Sequence, residues 1–156
     1  MKKKFTYICD FQLPTTSAYA IHVSKMCEAF AKINYDVTLI CPNSSISLNK
    51  FFKDFNLKEK IKIKSIFRNP VNLHFFNKVI YSLKIFFFLK NEKNEGNILS
   101  RSVLPSIILS FFGIKNILEI HHQLFGITKV FYKIFKGLNF LKNLRYILLH
   151  KSLVRD

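Results

Sequence analysis

The sequence predicts an α/β protein with a doubly wound, mainly parallel sheet and helices on both faces. Short apolar runs alternate along the chain with stretches whose apolar residues recur at helical spacing, and short loops join them. Parallel strands need such crossovers, which are right-handed and cover both faces of the sheet. The 156 residues, 49% of them hydrophobic, suffice for one core. We therefore expect residues 1–156 to form a single Rossmann-like domain.

Five elements are predicted in the first half of the chain. In order they are a strand at 5–9, a helix at 19–33, a strand at 36–42, a short helix near 47–55 and a strand at 61–67. Thr16 or Ser17 is placed to cap the first helix, because a hydroxyl can accept from its free amide groups. Pro42 ends the second strand, and the alternation in IKIKSIF is typical of a strand at a sheet edge.

The second half continues the alternation. It predicts a helix with an aromatic face at 73–90, a strand at 97–100, a helix at 103–112 that Gly113 ends, a strand at 116–121 and a long basic, apolar helix at 128–150. Residues 152–155 are predicted to begin one more strand.

The net charge of the chain indicates which classes of partner it could bind. The net charge is +16, yet only four of the 25 basic residues are arginine, a bias that an AT-rich coding sequence also produces. A basic surface attracts phosphate-bearing partners, either anionic lipid or nucleic acid. Because no nucleic-acid-binding motif is visible, we favour a membrane surface and consider nucleic acid unlikely.

Targeting and redox signals point to a cytoplasmic protein. No run reaches the roughly 18 to 20 apolar residues of a membrane span, and the N-terminus lacks a secretory apolar region. We expect a cytoplasmic chain that can associate peripherally with the inner face of the membrane. The widely spaced Cys9, Cys27 and Cys41 indicate neither a disulfide framework nor a zinc site.

Polar residues gather where the predicted strands end, which is where open α/β sheets bind ligands. His22 lies in the first turns of the first helix, and Arg101 follows the fourth strand. On the fifth strand Glu119 and His121 share one face, so the carboxylate can orient the histidine or raise its basicity. Simpler roles remain open: a solvated helix start for His22, a pair between Arg101 and Glu119, and a structural Glu119–His121 ion pair.

Several familiar sites are missing from the sequence. It contains no GxGxxG, GxxxxGK[ST] or GxSxG motif, so no motif supports a dinucleotide-binding, P-loop or hydrolase function. We therefore expect no cofactor. The adjacent His121 and His122 suggest a metal, but one strand cannot direct both at a single ion, so we expect no metal ligand. The loop before the first helix instead offers hydroxyls and a helix N-terminus to an acceptor or phosphate group.

Two segments resemble a known family. SAYAIHVSKMCEAFAKINYDVTLICP is similar to the first helix and second strand of the N-terminal domain of group 1, family 4 glycosyltransferases of the GT-B fold, with NYDVTLICP in place of their usual GHEVTL. ILSRSVLPSIILSFFGIKNILEIHH is similar to a later segment with the pattern R…G…EXH. The resemblance spans nearly the whole chain, although PTTSAYA replaces the glycine pair that commonly follows the first strand.

The resemblance implies transfer of a sugar from a nucleotide-sugar donor to a cell-surface glycan or lipid-linked acceptor. His121 matches the histidine expected near the reacting sugar and is the catalytic candidate. The acceptor-binding candidates are Thr16, Ser17, His22, Arg101, Glu119 and His122. In that family the acceptor binds the N-terminal domain, and the donor binds a C-terminal domain with an E-x7-E motif.

No such donor domain is visible in the sequence. The acidic pair at the right separation, Glu28 and Asp36, lies behind the first helix. We therefore expect an acceptor-side half that is inactive alone, whether from a truncated gene, a split gene or a stand-alone domain. The alternative is a non-catalytic partner that docks on a separate donor-domain chain or on an anionic membrane through its two apolar, lysine-bearing helices.

Overall fold

The computed structural model describes residues 2–92, 96–121 and 126–148, and it confirms the predicted fold class. Its strands are β1 (Lys3–Ile8), β2 (Tyr35–Cys41), β3 (Lys62–Ser65), β4 (Asn97–Ser100), β5 (Asn116–Ile120) and β6 (Leu144–Leu148). Its helices are α1 (Ala18–Lys32), α2 (Leu48–Asp54), α3 (Phe75–Asn91), α4 (Val103–Phe111) and α5 (Gly126–Gly137). Every pairing between these strands is parallel.

The order of strands places two loops side by side at the centre of the sheet. The order is β3-β2-β1-β4-β5-β6, so the chain first builds outward from β1 and then restarts on its other side with β4. The loops that follow β1 and β4 therefore diverge to opposite faces, and a crevice opens between them at the carboxyl edge. β3 is an edge strand, as its alternating pattern predicted.

The core has a layer on each face of the sheet, because successive strand residues point to opposite sides. Tyr7 and Leu39 pack under α1 and α2, whereas their neighbours Ile8 and Ile40 pack under α3 and α4. A third, smaller cluster joins α4 and α5 to β5 and β6 around Leu118.

Local signals mark the start of α1 and the end of α4, as predicted. Ser17 caps α1, since its Oγ accepts from the backbone N–H of Ala20 at 3.2 Å. Gly113 follows α4 with φ of 82°, a left-handed conformation that glycine adopts without steric cost. The three cysteines are buried and unpaired with one another.

The predicted helix at 128–150 is confirmed over 128–137 and is wrong for 138–148. α5 ends at Gly137, Asn139 turns the chain with φ of 59°, and Leu144–Leu148 then forms β6 beside β5. A short apolar run cannot be assigned to helix or strand by periodicity alone, and here an open sheet edge was available to pair with it. The predicted strand at 152–155 lies outside the described residues.

α3 and α5 leave several apolar side chains in solvent. α3 buries Tyr81 and Ile85 but exposes Phe76 and Phe87. On α5 three exposed apolar residues, Ile127, Val130 and Ile134, recur at helical spacing, and Leu138 directly after the helix continues this row. Neither of these helices, nor any other in the part of the chain that the structure describes, is long and apolar enough to cross a membrane.

Candidate functional site

The centre of the candidate site is the buried carboxylate of Glu119, near the carboxyl end of β5. The phenol of Tyr7 reaches it across β4 and donates a hydrogen bond to Glu119 Oε2 at 2.7 Å. Both side chains lie on the face of the sheet that α1 covers. The register of β1, β4 and β5 sets this contact, because Tyr7 pairs with Leu99 and Leu99 with Ile117.

Two histidines meet at the other oxygen of this carboxylate. His121 Nε2 lies 2.5 Å from Glu119 Oε1, and His22 Nε2, from α1, lies 3.4 Å from the same atom. The two imidazole rings are 5.8 Å apart and nearly perpendicular. The side chains of His22 and His121 are 43% and 22% exposed, so solvent reaches both histidines. The Glu119 side chain is buried beneath them. We call His22, Glu119 and His121 the histidine–glutamate cluster.

The surroundings keep Glu119 ionised. Burial by itself raises the pKa of a carboxyl group, but the hydrogen bonds from Tyr7 and His121 and the charge of Arg101 outweigh it, and the pKa of Glu119 is lowered. Burial, followed by the bond to Glu119, raises the pKa of Tyr7 above its ordinary range. Tyr7 therefore stays protonated as the donor, and Glu119 stays negative as the acceptor for it.

Arg101 lies beside the cluster at the end of β4. Its guanidinium carbon is 4.3 Å from the centre of the Tyr19 ring, a cation–π distance. The hydroxyl of Tyr19 is buried and has no hydrogen-bond partner among the described residues. Arg101 thus supplies a positive charge next to the cluster, and its partner is an aromatic face that sequence reasoning did not anticipate.

Of the three remaining predicted residues, the structure describes Thr16 and Ser17. Thr16 and Ser17 are exposed at the start of α1, and the Ser17 hydroxyl is used as the helix cap. His122 lies outside the described residues. The structure therefore brings His22, Arg101, Glu119 and His121 together, as predicted from the strand ends, and adds Tyr7.

Tyr7 was missed because nothing in FTYIC separates it from a core aromatic residue. The phenol is fully buried, and its function depends on which strand lies two places away in the sheet. The order of strands was not part of the prediction.

Two open cavities lie elsewhere, at the amino ends of the strands. One, of about 310 Å³, is lined by Lys115, Lys142, Arg145 and neutral residues. The other, of about 330 Å³, includes Lys62 and Asp36, which form an ion pair at 2.7 Å. Neither lining contains a histidine or a cysteine, whereas both histidines that contact Glu119 lie at the opposite edge of the sheet.

Comparison with known proteins shows a likeness of fold. No protein-family model matches the sequence, and no curated protein matches it either. The solved structure of UGT73P12 from Glycyrrhiza uralensis, complexed with glycyrrhetinic acid 3-O-monoglucuronide, is similar over 79% of this chain, with a TM-score of 0.51 and 13% identity. This chain spans 29% of the length of that protein.

The C-terminal domain of PF1911 hydrogenase from Pyrococcus furiosus is more distant. It has a TM-score of 0.41 and 12% identity over 95% of this chain and 92% of that one. The order of the parallel strands and the likeness to part of UGT73P12 show a Rossmann-like fold.

Proposed function

We propose that this chain is the N-terminal, acceptor-side part of a glycosyltransferase that moves a sugar from a nucleotide-sugar donor to a cell-surface glycan or lipid-linked acceptor. The observation that carries the proposal is the histidine–glutamate cluster at the carboxyl edge of the sheet. The fold is similar to part of a protein crystallised with a glucuronide, a sugar acid joined through oxygen to its carrier. The two sequence segments that resemble family 4 glycosyltransferases point the same way.

Sugar transfer to a hydroxyl requires a group that takes the hydroxyl proton. An imidazole held by a carboxylate suits this step, because the carboxylate orients the ring and stabilises the imidazolium that forms. His121, 2.5 Å from Glu119, is assigned this role at the acceptor hydroxyl. His22 and Arg101 flank it and are assigned to the acceptor's other hydroxyl or phosphate groups, with Thr16 and Ser17 further out at the start of α1.

The donor is proposed to bind a separate domain. The assigned residues serve an acceptor, and the chain spans 29% of UGT73P12. We therefore expect the purified chain to transfer no sugar from any nucleotide sugar. Transfer by this chain alone would contradict the division into acceptor and donor halves.

Binding measurements test the acceptor site directly. The purified chain is titrated with a panel of glycans and lipid-linked glycans in detergent micelles, and the titrations are repeated with His22→Ala and Arg101→Gln. We expect at least one ligand whose dissociation constant rises about tenfold, about 1.4 kcal/mol, in each variant. His74→Ala is the matched control, since His74 is an exposed histidine at the start of α3. A panel without a bound member, or equal losses in His22→Ala and His74→Ala, would refute the proposal.

A second candidate function rests on α5. Its exposed apolar row, with Lys133 and Lys136 on another face of the helix, has the pattern of a helix that lies on an anionic membrane or packs on a partner. The chain would then be a non-catalytic subunit on a donor-domain protein or on lipid. Flotation with vesicles containing anionic lipid, lost in Val130→Ser with Ile134→Ser, supports it. A chain that neither floats nor co-purifies with a donor-domain protein rules it out.

A further inference from the structure

Two elements, α1 and β5, bring three side chains that could hold a metal ion to one point in the structure. α1 supplies His22, β5 supplies Glu119, and His121 follows directly after β5. One donor atom from each side chain lies within 4.8 Å of the other two. The sequence predicts no metal ligand because one strand cannot direct both His121 and His122 at a single ion, whereas the fold brings His22 of α1 to the same carboxylate as His121.

The distances are close to those of a coordinated ion. Zinc binds imidazole nitrogen and carboxylate oxygen at about 2.0–2.2 Å, which separates donors in a tetrahedral site by roughly 3.3–3.5 Å. His22 Nε2 and Glu119 Oε1 are 3.4 Å apart, within that span. His121 Nε2 and Glu119 Oε1, at 2.5 Å, need to separate by about 1 Å. Because His121 is not fully buried and follows the last residue of β5, the required shift falls on a side chain at the edge of the sheet.

The surroundings hold the carboxylate in the orientation that a ligand needs. The Tyr7 hydroxyl binds Glu119 Oε2, and so Oε1 is turned toward both histidines. Bonds of this kind from an outer residue orient the ligand and tune its affinity for the metal. Three protein ligands leave the fourth position of a tetrahedral ion open, and the nearby positive charge of Arg101 favours an anion there.

We propose that His22 Nε2, Glu119 Oε1 and His121 Nε2 bind a divalent transition-metal ion of the zinc type. Two imidazoles and one carboxylate are typical donors for such an ion and poor ones for calcium or magnesium, which prefer oxygen. The inference goes beyond the proposed function and does not depend on it. A neutral imidazole that binds the ion through Nε2 carries its proton on Nδ1 and has no lone pair left to accept another, so a bound ion blocks the acid–base role proposed for His121.

Titration of the purified, metal-free chain with Zn²⁺ alone, and in parallel with Co²⁺ followed by visible absorption, tests the site. We expect one ion per chain. Loss of a ligand in His22→Ala or Glu119→Gln, or of the orienting hydroxyl in Tyr7→Phe, is expected to weaken binding about 10–100-fold or more. His74→Ala is the matched control and is expected to bind as the unaltered chain does. Circular dichroism shows whether each variant is folded, and His22→Ala is the variant least able to disturb the core.

Equal affinities in His22→Ala, His74→Ala and the unaltered chain would overturn the site, as would the absence of one-to-one binding. The outcome is separable from that of the acceptor titrations. Zinc binding without any glycan bound leaves the metal site standing and refutes the proposed function. Glycan binding by a chain that binds no zinc leaves the proposed function standing and refutes the metal site.

Discussion

Removal of the Tyr7 hydroxyl tests whether Glu119 is a buried, ionised carboxylate. Tyr7→Phe deletes one oxygen from a fully buried ring and leaves Glu119 Oε2 without the donor that lies 2.7 Å away. A hydrogen bond to a charged group contributes about 1.5–3 kcal/mol, and a buried carboxylate that loses its donor bears the desolvation cost. We therefore expect Tyr7→Phe to lower the free energy of unfolding by about 1.5–3 kcal/mol at pH 7.

Tyr81 provides a matched control. It is also fully buried, and its hydroxyl donates to a neutral group, the Cys9 carbonyl, at 2.6 Å. Tyr81→Phe removes the same atom from a bond between neutral groups and should cost about 0.5–1.5 kcal/mol. The excess cost of Tyr7→Phe over Tyr81→Phe measures the ionised state of Glu119.

The pH dependence of this excess has a definite sign. The folded-state pKa of Glu119 is lowered, so the stability gained from its ionised form is present above the usual pKa of about 4.3 and is lost as the pH falls. In Tyr7→Phe that pKa rises. The excess cost is therefore largest near neutral pH and shrinks on acidification, whereas the cost of Tyr81→Phe stays level.

Denaturant unfolding checks this reasoning when it is measured on the unaltered chain, on the single variants Tyr7→Phe, Tyr81→Phe and Glu119→Gln, and on the double variant Tyr7→Phe with Glu119→Gln. The double-mutant cycle should show a coupling between Tyr7 and Glu119 of about 1 kcal/mol or more at pH 7. Equal costs for the two tyrosine variants at pH 7, together with a coupling near zero, would refute the account of the buried carboxylate.

Three further predictions concern stability. Ser17→Ala removes the cap of α1 and should cost about 0.5–2 kcal/mol in denaturant unfolding. Gly96→Ala should cost about 1–3 kcal/mol, because a Cβ there would lie 2.4 Å from a backbone oxygen of β1; Gly137→Ala, with nothing within 4 Å, should be tolerated. Glu28 accepts from the backbone N–H of Lys58 at 2.6 Å, which lowers its pKa, so Glu28→Gln should flatten the loss of stability between pH 5 and 3; an unchanged pH profile contradicts this.

Much of the fold could be predicted because each element carries its own local signal. The capping hydroxyl of Ser17, the alternation in β3 and the left-handed Gly113 all act within a few residues of where they occur. β6 could not be predicted in this way. Its five residues form a strand because β5 offers an unpaired edge, which is a property of the assembled sheet.

The candidate site, like the fold, could be predicted from the sequence only in part. The location of His22, Arg101 and Glu119 at one edge follows from the rule that parallel strands end together. The order of strands decides that Tyr7 reaches Glu119 across β4 and that His22 and His121 meet on one oxygen. Neither contact can be predicted from local sequence spacing, because each joins residues that are far apart in the chain. For the same reason His22, Glu119 and His121 could not be recognised from the sequence as a set of possible metal ligands.

Surface-glycan composition in the source cell tests the central claim most directly. The gene is deleted and then restored with the unaltered chain, His22→Ala, His121→Ala or His74→Ala, with protein levels matched by immunoblot. The account predicts that deletion removes a sugar from a surface glycan or its lipid-linked precursor, and that the unaltered chain and His74→Ala restore it while the two cluster variants do not. An unchanged glycan after deletion, or full restoration by His22→Ala and His121→Ala, would contradict it.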